Sequence, residues 1–201
     1  MNTTRVEAFS DGVFAIAITL LVLEIKVPAG EHLGWGLLRL WPSYLAYAIS
    51  FIVIGAIWIN HHSIFEWITR ADHGLLLLNT FHLMFIAFLP FSTAVLAEAF
   101  HARAGREVAT AFYSGTLTSI GVLTTAMWWY AARHRELLHQ DISHERARAI
   151  GRRFLVGPAS YATATVLAFV NPWISIGMFV ALNAYFLWPH RHRVRATRSR
   201  P

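Results

Sequence analysis

The chain has 201 residues, of which 56% are hydrophobic and only 14% are charged, with a formal net charge of +6. A soluble domain carries about 25% charged residues, so the composition excludes an ordinary water-soluble fold and indicates an integral membrane protein. The sequence contains no cysteine, which excludes disulfides, thiolate metal sites and cysteine nucleophiles.

Six apolar stretches along the chain predict membrane-spanning helices, since a helix of about 20 residues crosses the hydrocarbon core of a bilayer. The last two are short, and Asn171-Pro172 between them predicts a tight helical hairpin. The predicted spans cover residues 9–27, 37–59, 74–98, 108–132, 154–170 and 173–188. We therefore predict an all-α integral membrane protein built as a single domain of six transmembrane helices.

The basic residues predict the orientation of the chain in the membrane. If the N-terminus is cytoplasmic, 13 of the 17 Lys and Arg residues lie on the cytoplasmic side, which fixes both termini there by the positive-inside rule. Most of them lie in the polar loop 133–153, where a short surface helix is expected, and in the basic tail 189–201. This pattern fits a multi-pass protein of a cell membrane and gives no support for nucleic-acid binding.

The first span carries polar residues that lipid would disfavour, among them Asp11 and Thr19. With 100° per residue, one face of the helix collects Ile16, Thr19, Leu20 and Leu23, and Asp11 lies about 140° from Ile16. This face could line an ion conduit, since apolar rings gate by dewetting and a threonine hydroxyl can contact a cation. On the wheel geometry alone, packing of this face against another helix, with Thr19 bonding back to a carbonyl, is the simpler interpretation.

Asp11 also has two interpretations. It could be a proton relay or a cation site, or it could anchor the first helix through a partner on a neighbouring helix. The expected partners are His61 or His62 in the segment WINHHSIF, with a contribution from Asn79 in the third span.

Known catalytic and metal-binding patterns do not occur in the sequence. The eleven histidines show no zinc-ligand spacing, and His82 in the third span is expected to be a hydrogen-bonded core residue. Nucleotide-binding and nucleophile motifs are missing, as is the TVGYG filter of potassium channels. We expect no enzyme activity, metal or cofactor, and a channel would have to select ions by another device.

The start of the chain resembles the transmembrane protein 175 family of potassium channels. The motif R-x-x-x-F-S-D appears as Arg5, Phe9, Ser10 and Asp11, and the resemblance continues through WINHHSIF and LLLLNTFHLMFIAFLPFST. It covers about half of the chain in detail and the rest in layout.

The resemblance implies a homotetramer of six-helix chains in a bacterial membrane, with the first helix of each chain lining a pore for passive K⁺ flux. Ile16, Leu20 and Leu23 would form the hydrophobic constriction, and Thr19 the hydroxyl layer that contacts K⁺. The remaining family positions would hold the pore helix against its neighbours; they are Arg5, Phe9, Ser10 and Asp11, together with His61, His62 and Asn79 as their partners.

Two alternatives to a K⁺-preferring channel remain at this point. One is a proton-coupled secondary transporter that uses Asp11 and His61. The other is a membrane enzyme, for which the sequence offers no pairing of a nucleophile with a base. Without a carbonyl filter, discrimination of K⁺ against Na⁺ is expected to be modest.

Overall fold

A computed structural model describes residues 3–28 and 32–187, with the backbone alone for 183–187. The described residues are almost entirely helical and contain no strand beyond an isolated bridge between Ile68 and Leu138. The α-helices are α1 (Thr4–Leu20), α2 (Leu33–Arg39), α3 (Trp41–Phe65), α4 (His73–Ala102), α5 (Arg106–Arg133), α6 (His144–Phe154), α7 (Val156–Ala168) and α8 (Pro172–Leu187). Two 3₁₀ segments cover Leu21–Glu24 and Arg135–Leu137.

Three helical segments are long and apolar enough to cross a membrane, namely Thr4–Glu24, α3 and α4. Helix α5 has 28 residues, but many Thr, Ser and Gly residues lower its hydropathy. Helices α7 and α8 have only 13 and 16 residues, fewer than the about 20 that a perpendicular span needs. The all-α membrane fold is thus established, and the count of six spans stays a prediction.

Several helix boundaries differ from the stretches of high hydropathy. Helix α1 begins at Thr4, and its α-helical geometry changes to a 3₁₀ segment at Leu21. The stretch 37–59 overlaps two helices, because the chain turns at Leu40 and α3 restarts with Pro42 in its first turn. The polar loop 133–153 contains most of α6, whose N-cap Ser143 accepts a hydrogen bond from the Arg146 amide. The tail 189–201 lies outside the described residues.

Helix α4 lies at the centre of the bundle, in contact with α1, α3 and α5, and α5 packs in turn on α7. The larger core cluster fills the middle of the bundle and includes Phe14, Ile54, Ile86 and Tyr113. A second cluster surrounds the fully buried Trp128. Burial of these apolar faces holds α1 on one side of α4. The rest of the surface of α1 is uncovered in the single chain.

The first turn of α4 is tied to the last turn of α5. The Asp72 carboxylate accepts hydrogen bonds from the Leu75 amide and the Tyr130 hydroxyl, both at 2.8 Å. Burial alone would raise the pKa of the Asp72 carboxyl, but these hydrogen bonds outweigh it and hold the pKa below its usual value. Gly74 permits this contact, since a Cβ there would lie 2.3 Å from the Tyr130 hydroxyl oxygen. One end of the bundle therefore contains the starts of α1 and α4 and the ends of α3 and α5. We call it the N-terminal end.

Candidate functional site

Helix α1 buries one face and exposes the other. The buried face consists of Val6, Ser10, Phe14, Ala17 and, in the 3₁₀ segment, Leu21. These positions follow the i, i+3, i+4, i+7 spacing of a helix that packs one side against a core. The opposite face is exposed in the single chain and is mainly apolar.

The residues predicted to form a constriction all lie on this exposed face. In the single chain Ile16 is 61% exposed, Leu20 39% and Leu23 65%. Leu23 belongs to the 3₁₀ segment, where a residue turns about 120° and not the 100° assumed for an α-helix. The helical wheel therefore misplaces Leu23, although its side chain remains exposed. Leu20 is the least exposed of the three and lies at the edge of the face.

Thr19 shares this exposed face, and its hydroxyl bonds back to its own helix. The Thr19 Oγ1 lies 3.0 Å from the Ala15 carbonyl oxygen and 2.9 Å from that of Ile16. Since the single O–H proton is donated to the backbone, the oxygen keeps lone pairs that can face outward. The back-bonded arrangement and a cation contact are therefore compatible at this position.

Asp11 binds a different partner from those predicted. The Trp58 indole Nε1 donates a hydrogen bond of 2.8 Å to Asp11 Oδ1. The expected helix is correct, but the predicted histidine pairing is wrong, because His62 lies 3.9 Å from Glu66 and His61 bonds to Asn79. Asp11 is also exposed in the single chain and lies at the edge of the exposed face. Its carboxylate is therefore not a buried charge within one subunit.

A buried polar chain beside this bond connects α1, α4 and α3. Asn79 Nδ2 donates to Ser10 Oγ at 3.1 Å, and Asn79 Oδ1 lies 2.9 Å from His61 Nε2. Ser10 Oγ in turn donates to the Val6 carbonyl oxygen at 2.8 Å. All three side chains are at most 3% exposed. This chain, with the Asp11–Trp58 bond beside it, links the pore-helix candidate to both of its neighbours.

His82 is a core residue, as predicted, but it is not hydrogen-bonded. Its side chain is fully buried, and neither ring nitrogen has a hydrogen-bond partner among the described residues. The ring stacks on that of His61 with centroids 5.5 Å apart, and Phe14 of α1 lies against both rings. The prediction that His82 is hydrogen-bonded was wrong, because the polar side chains nearby form hydrogen bonds with one another.

The structure places the other two motif residues on the surface of the single chain. Arg5 is exposed, and Phe9 is 65% exposed near the start of α1. Both lie outside the Ser10–Asn79–His61 chain.

Two polar arrangements were missed at the sequence level. Trp58 lies within WINHHSIF, but an indole is not an obvious partner for a carboxylate. The prediction therefore named the neighbouring histidines instead. Mid-bundle, Thr93 Oγ1 donates to Ser50 Oγ at 2.8 Å, and Ser50 Oγ lies 2.9 Å from the Tyr113 hydroxyl. Each of the three apolar stretches contains several hydroxyl side chains, so the sequence did not single out these three.

Comparison with known proteins gives consistent matches. The family model described as endosomal/lysosomal potassium channel TMEM175 matches residues 5–90. A potassium channel of Chamaesiphon minutus is 45% identical, covering 92% of this chain and 93% of its own. The crystal structure of a lysosomal potassium-selective channel TMEM175 homolog from Chamaesiphon minutus superposes with a TM-score of 0.81 at 42% identity, covering 92% of this chain and 95% of the other.

A vertebrate relative shares the same region within a longer protein. The endosomal/lysosomal proton channel TMEM175 of Gallus gallus is 39% identical over 69% of this chain, which spans 30% of the chicken protein. The bacterial relatives match this chain over almost their whole length and at high identity. The chain therefore belongs to the TMEM175 family of ion channels.

Proposed function

We propose that this protein is a K⁺-preferring cation channel that conducts passively through a pore lined by α1. The observation that carries the proposal is the exposed face of α1, on which three aliphatic side chains flank the single hydroxyl of Thr19. The names of the bacterial relatives, potassium channels at 42–45% identity, support the choice of ion.

Four chains around one axis are proposed, with the exposed faces of α1 turned toward that axis. One chain offers only one such helix, which cannot enclose a water path alone. The hydroxyl of Thr19 on this face is disfavoured against lipid, which supports a position facing copies of the same helix and water. Cross-linking of purified protein in mild detergent is expected to give a ladder that ends at four subunits.

The proposed topology has six spans in a single domain, with both termini in the cytoplasm of a bacterial cell and the protein in its cell membrane. It rests on the charge bias and on α5, α7 and α8 crossing the membrane together with the three strongly apolar segments. The short α7 and α8 meet at Asn171 and can cross as a pair packed against α5.

The Ser10–Asn79–His61 chain and the Asp11–Trp58 bond are proposed to fix α1 against α4 and α3. The proton-coupled transporter has less support, because Asp11 and His61 engage separate partners. A proton relay between them would need both hydrogen bonds to be exchanged. We propose structural roles for Arg5, Phe9 and His62 as well, on the strength of the family motif.

Reconstitution into liposomes tests the channel function. Vesicles that contain the protein and a K⁺ gradient are expected to show electrogenic K⁺ flux, with a reversal potential that follows the K⁺ gradient. The flux should persist when a protonophore collapses any proton gradient. Flux that stops under this condition would mean that transport is coupled to protons, and the channel proposal would have to be dropped.

The hydroxyl of Thr19 is proposed to contribute to ion preference. Thr19→Val keeps the side-chain shape and loses only a hydroxyl that bonds to its own helix, so assembly should be unaffected. A lost hydroxyl contact is worth about 0.5–1.5 kcal/mol, which lowers the K⁺ to Na⁺ permeability ratio about two- to tenfold. Bi-ionic reversal potentials measure this ratio. Thr80→Val, on an exposed face of α4, is the matched control and should leave the ratio unchanged.

A further inference from the structure

A basic cavity opens at the end of the bundle opposite the N-terminal end, where α3 and α5 begin and α4 ends. It has a volume of about 780 Å³, and no Asp or Glu is among its lining residues. Its basic side chains come from three different segments, the end of α2, the end of α4 and the turn into α5. They are Arg39, His101, Arg103 and Arg106.

The arginines of this cavity form no ion pair with any carboxylate of residues 3–28 and 32–182. Arg106 lies with its guanidinium 5.3 Å from the centre of the Phe100 ring, and its Nε is buried without a hydrogen-bond partner. A buried guanidinium nitrogen without an acceptor is costly. An anion with several acceptor oxygens, such as a phosphate, can pair with the guanidinium group of Arg106 from the cavity.

Arg103 adds a second, independent observation. It follows the last residue of α4 and adopts a left-handed conformation with φ of 56°, a position at which glycine is normally found. An L-residue in this conformation costs about 1 kcal/mol relative to glycine. Strain of this kind is retained where the side chain is needed. Arg103 lines the same cavity as Arg106.

An apolar groove continues from the cavity along the surface of the bundle. The two share Trp41, Pro42 and Phe100, and the groove then passes between α3, α4 and α8 toward Ile176. The residues that line the groove are all apolar, so a hydrocarbon chain can lie along it. An occupant of both spaces needs an anionic head and an apolar tail.

The charge distribution of the whole chain points the same way. In the predicted topology only four Lys and Arg residues lie on the outer side of the membrane, and three of them line this cavity. A neighbouring cavity that shares Arg39 and His101 also contains Glu24 and Glu98. An anion is therefore favoured on the side of Arg103 and Arg106, away from these carboxylates.

We propose that this cavity and groove bind an anionic glycerophospholipid, with its phosphodiester on Arg103 and Arg106 and an acyl chain along Trp41 and Phe100. Tryptophans at this end of the bundle are typical of the membrane interface, where lipid headgroups lie. The site is remote from the Ser10–Asn79–His61 chain and does not depend on which ion α1 conducts.

Native mass spectrometry of the full chain, titrated with lipid in detergent, tests this proposal. Phosphatidylglycerol should bind at least about tenfold more tightly than phosphatidylcholine with the same acyl chains, because only the former leaves its phosphate charge unpaired. Arg103→Gly should weaken phosphatidylglycerol binding about tenfold while relieving the left-handed strain, so the variant should fold at least as well as wild type. Arg106→Gln is expected to weaken binding similarly.

Arg148→Gln on the exposed face of α6 removes the same charge outside the cavity and should leave phosphatidylglycerol affinity unchanged. Equal binding of the two lipids, or unchanged affinity in a folded Arg103→Gly variant, would overturn the proposal. Inorganic phosphate provides a third arm. If it competes as tightly as phosphatidylglycerol binds, the cavity is a site for soluble anions and the assignment to a lipid is wrong.

Discussion

Ile16→Asn is expected to produce a channel that conducts without a stimulus and selects poorly between K⁺ and Na⁺. Ile16 is among the most exposed aliphatic residues of α1, at 61% in the single chain, and lies one turn before Leu20. In the proposed tetramer, four such side chains form a ring too narrow and apolar for hydrated K⁺. The barrier at this ring is the unfavourable loss of water from the ion, and the pore is closed by dewetting.

Four asparagine amides at this level would hold water and lower that barrier. A reduction of about 1.4 kcal/mol raises the rate of ion passage tenfold, so the unstimulated K⁺ current should rise by about that factor or more. Loss of the apolar ring also lets Na⁺ pass with its hydration shell, which lowers the K⁺ to Na⁺ permeability ratio. Single-channel recording in planar bilayers measures both quantities.

Two variants separate the gate from other effects of the substitution. Ile16→Leu keeps the apolar bulk and should remain closed at rest. Ile174→Asn introduces the same polar group on α8, where the isoleucine is 50% exposed, and should not raise the current. If Ile16→Asn behaves like Ile174→Asn, α1 does not line the pore.

The sequence predicts the fold well where hydropathy alone decides the structure. Three of the six predicted spans, those that contain Ile16, Ile54 and Ile86, coincide with helical segments long and apolar enough to cross a membrane. Helical periodicity in the sequence also places Ile16, Thr19 and Leu20 on one face of α1, and the structure shows that this face is exposed in the single chain. The helical wheel fails from Leu21 onward, because the backbone there forms a 3₁₀ segment with a different angle per residue.

Polar contacts between helices were harder to predict, because they depend on relative depth and rotation. The sequence places Asp11 near the WINHHSIF segment but cannot say whether Trp58 or His61 faces it. Trp58 and His61 are three residues apart and so only about 60° apart around α3, and a rotation of the helix by that angle exchanges one candidate for the other. His82 illustrates the same limit: burial follows from its place in an apolar helix, whereas its lack of a partner follows from how Asn79 and His61 orient toward each other.

Asn79→Ala is expected to destabilise the protein more than any change at Asp11. Asn79 is 3% exposed and serves as both donor and acceptor, so its removal leaves His61 Nε2 without its partner and Ser10 Oγ without a donor. An unsatisfied buried polar group costs about 1–3 kcal/mol, and the space left by the amide adds to this. Thermal unfolding in detergent should therefore begin several degrees lower, and the assembled form should be recovered in smaller amounts.

Thr80→Ala is the matched control for this effect, since Thr80 is the next residue on α4, is exposed and bonds only to the Leu76 carbonyl. It should leave the unfolding temperature almost unchanged. Asp11→Asn should cost less than Asn79→Ala, because Asp11 is exposed in the single chain and an asparagine oxygen can still accept from the Trp58 indole. The reverse order, with Asp11→Asn the more damaging in unfolding temperature, would mean that the carboxylate charge, and not the buried Ser10–Asn79–His61 chain, holds α1 in place.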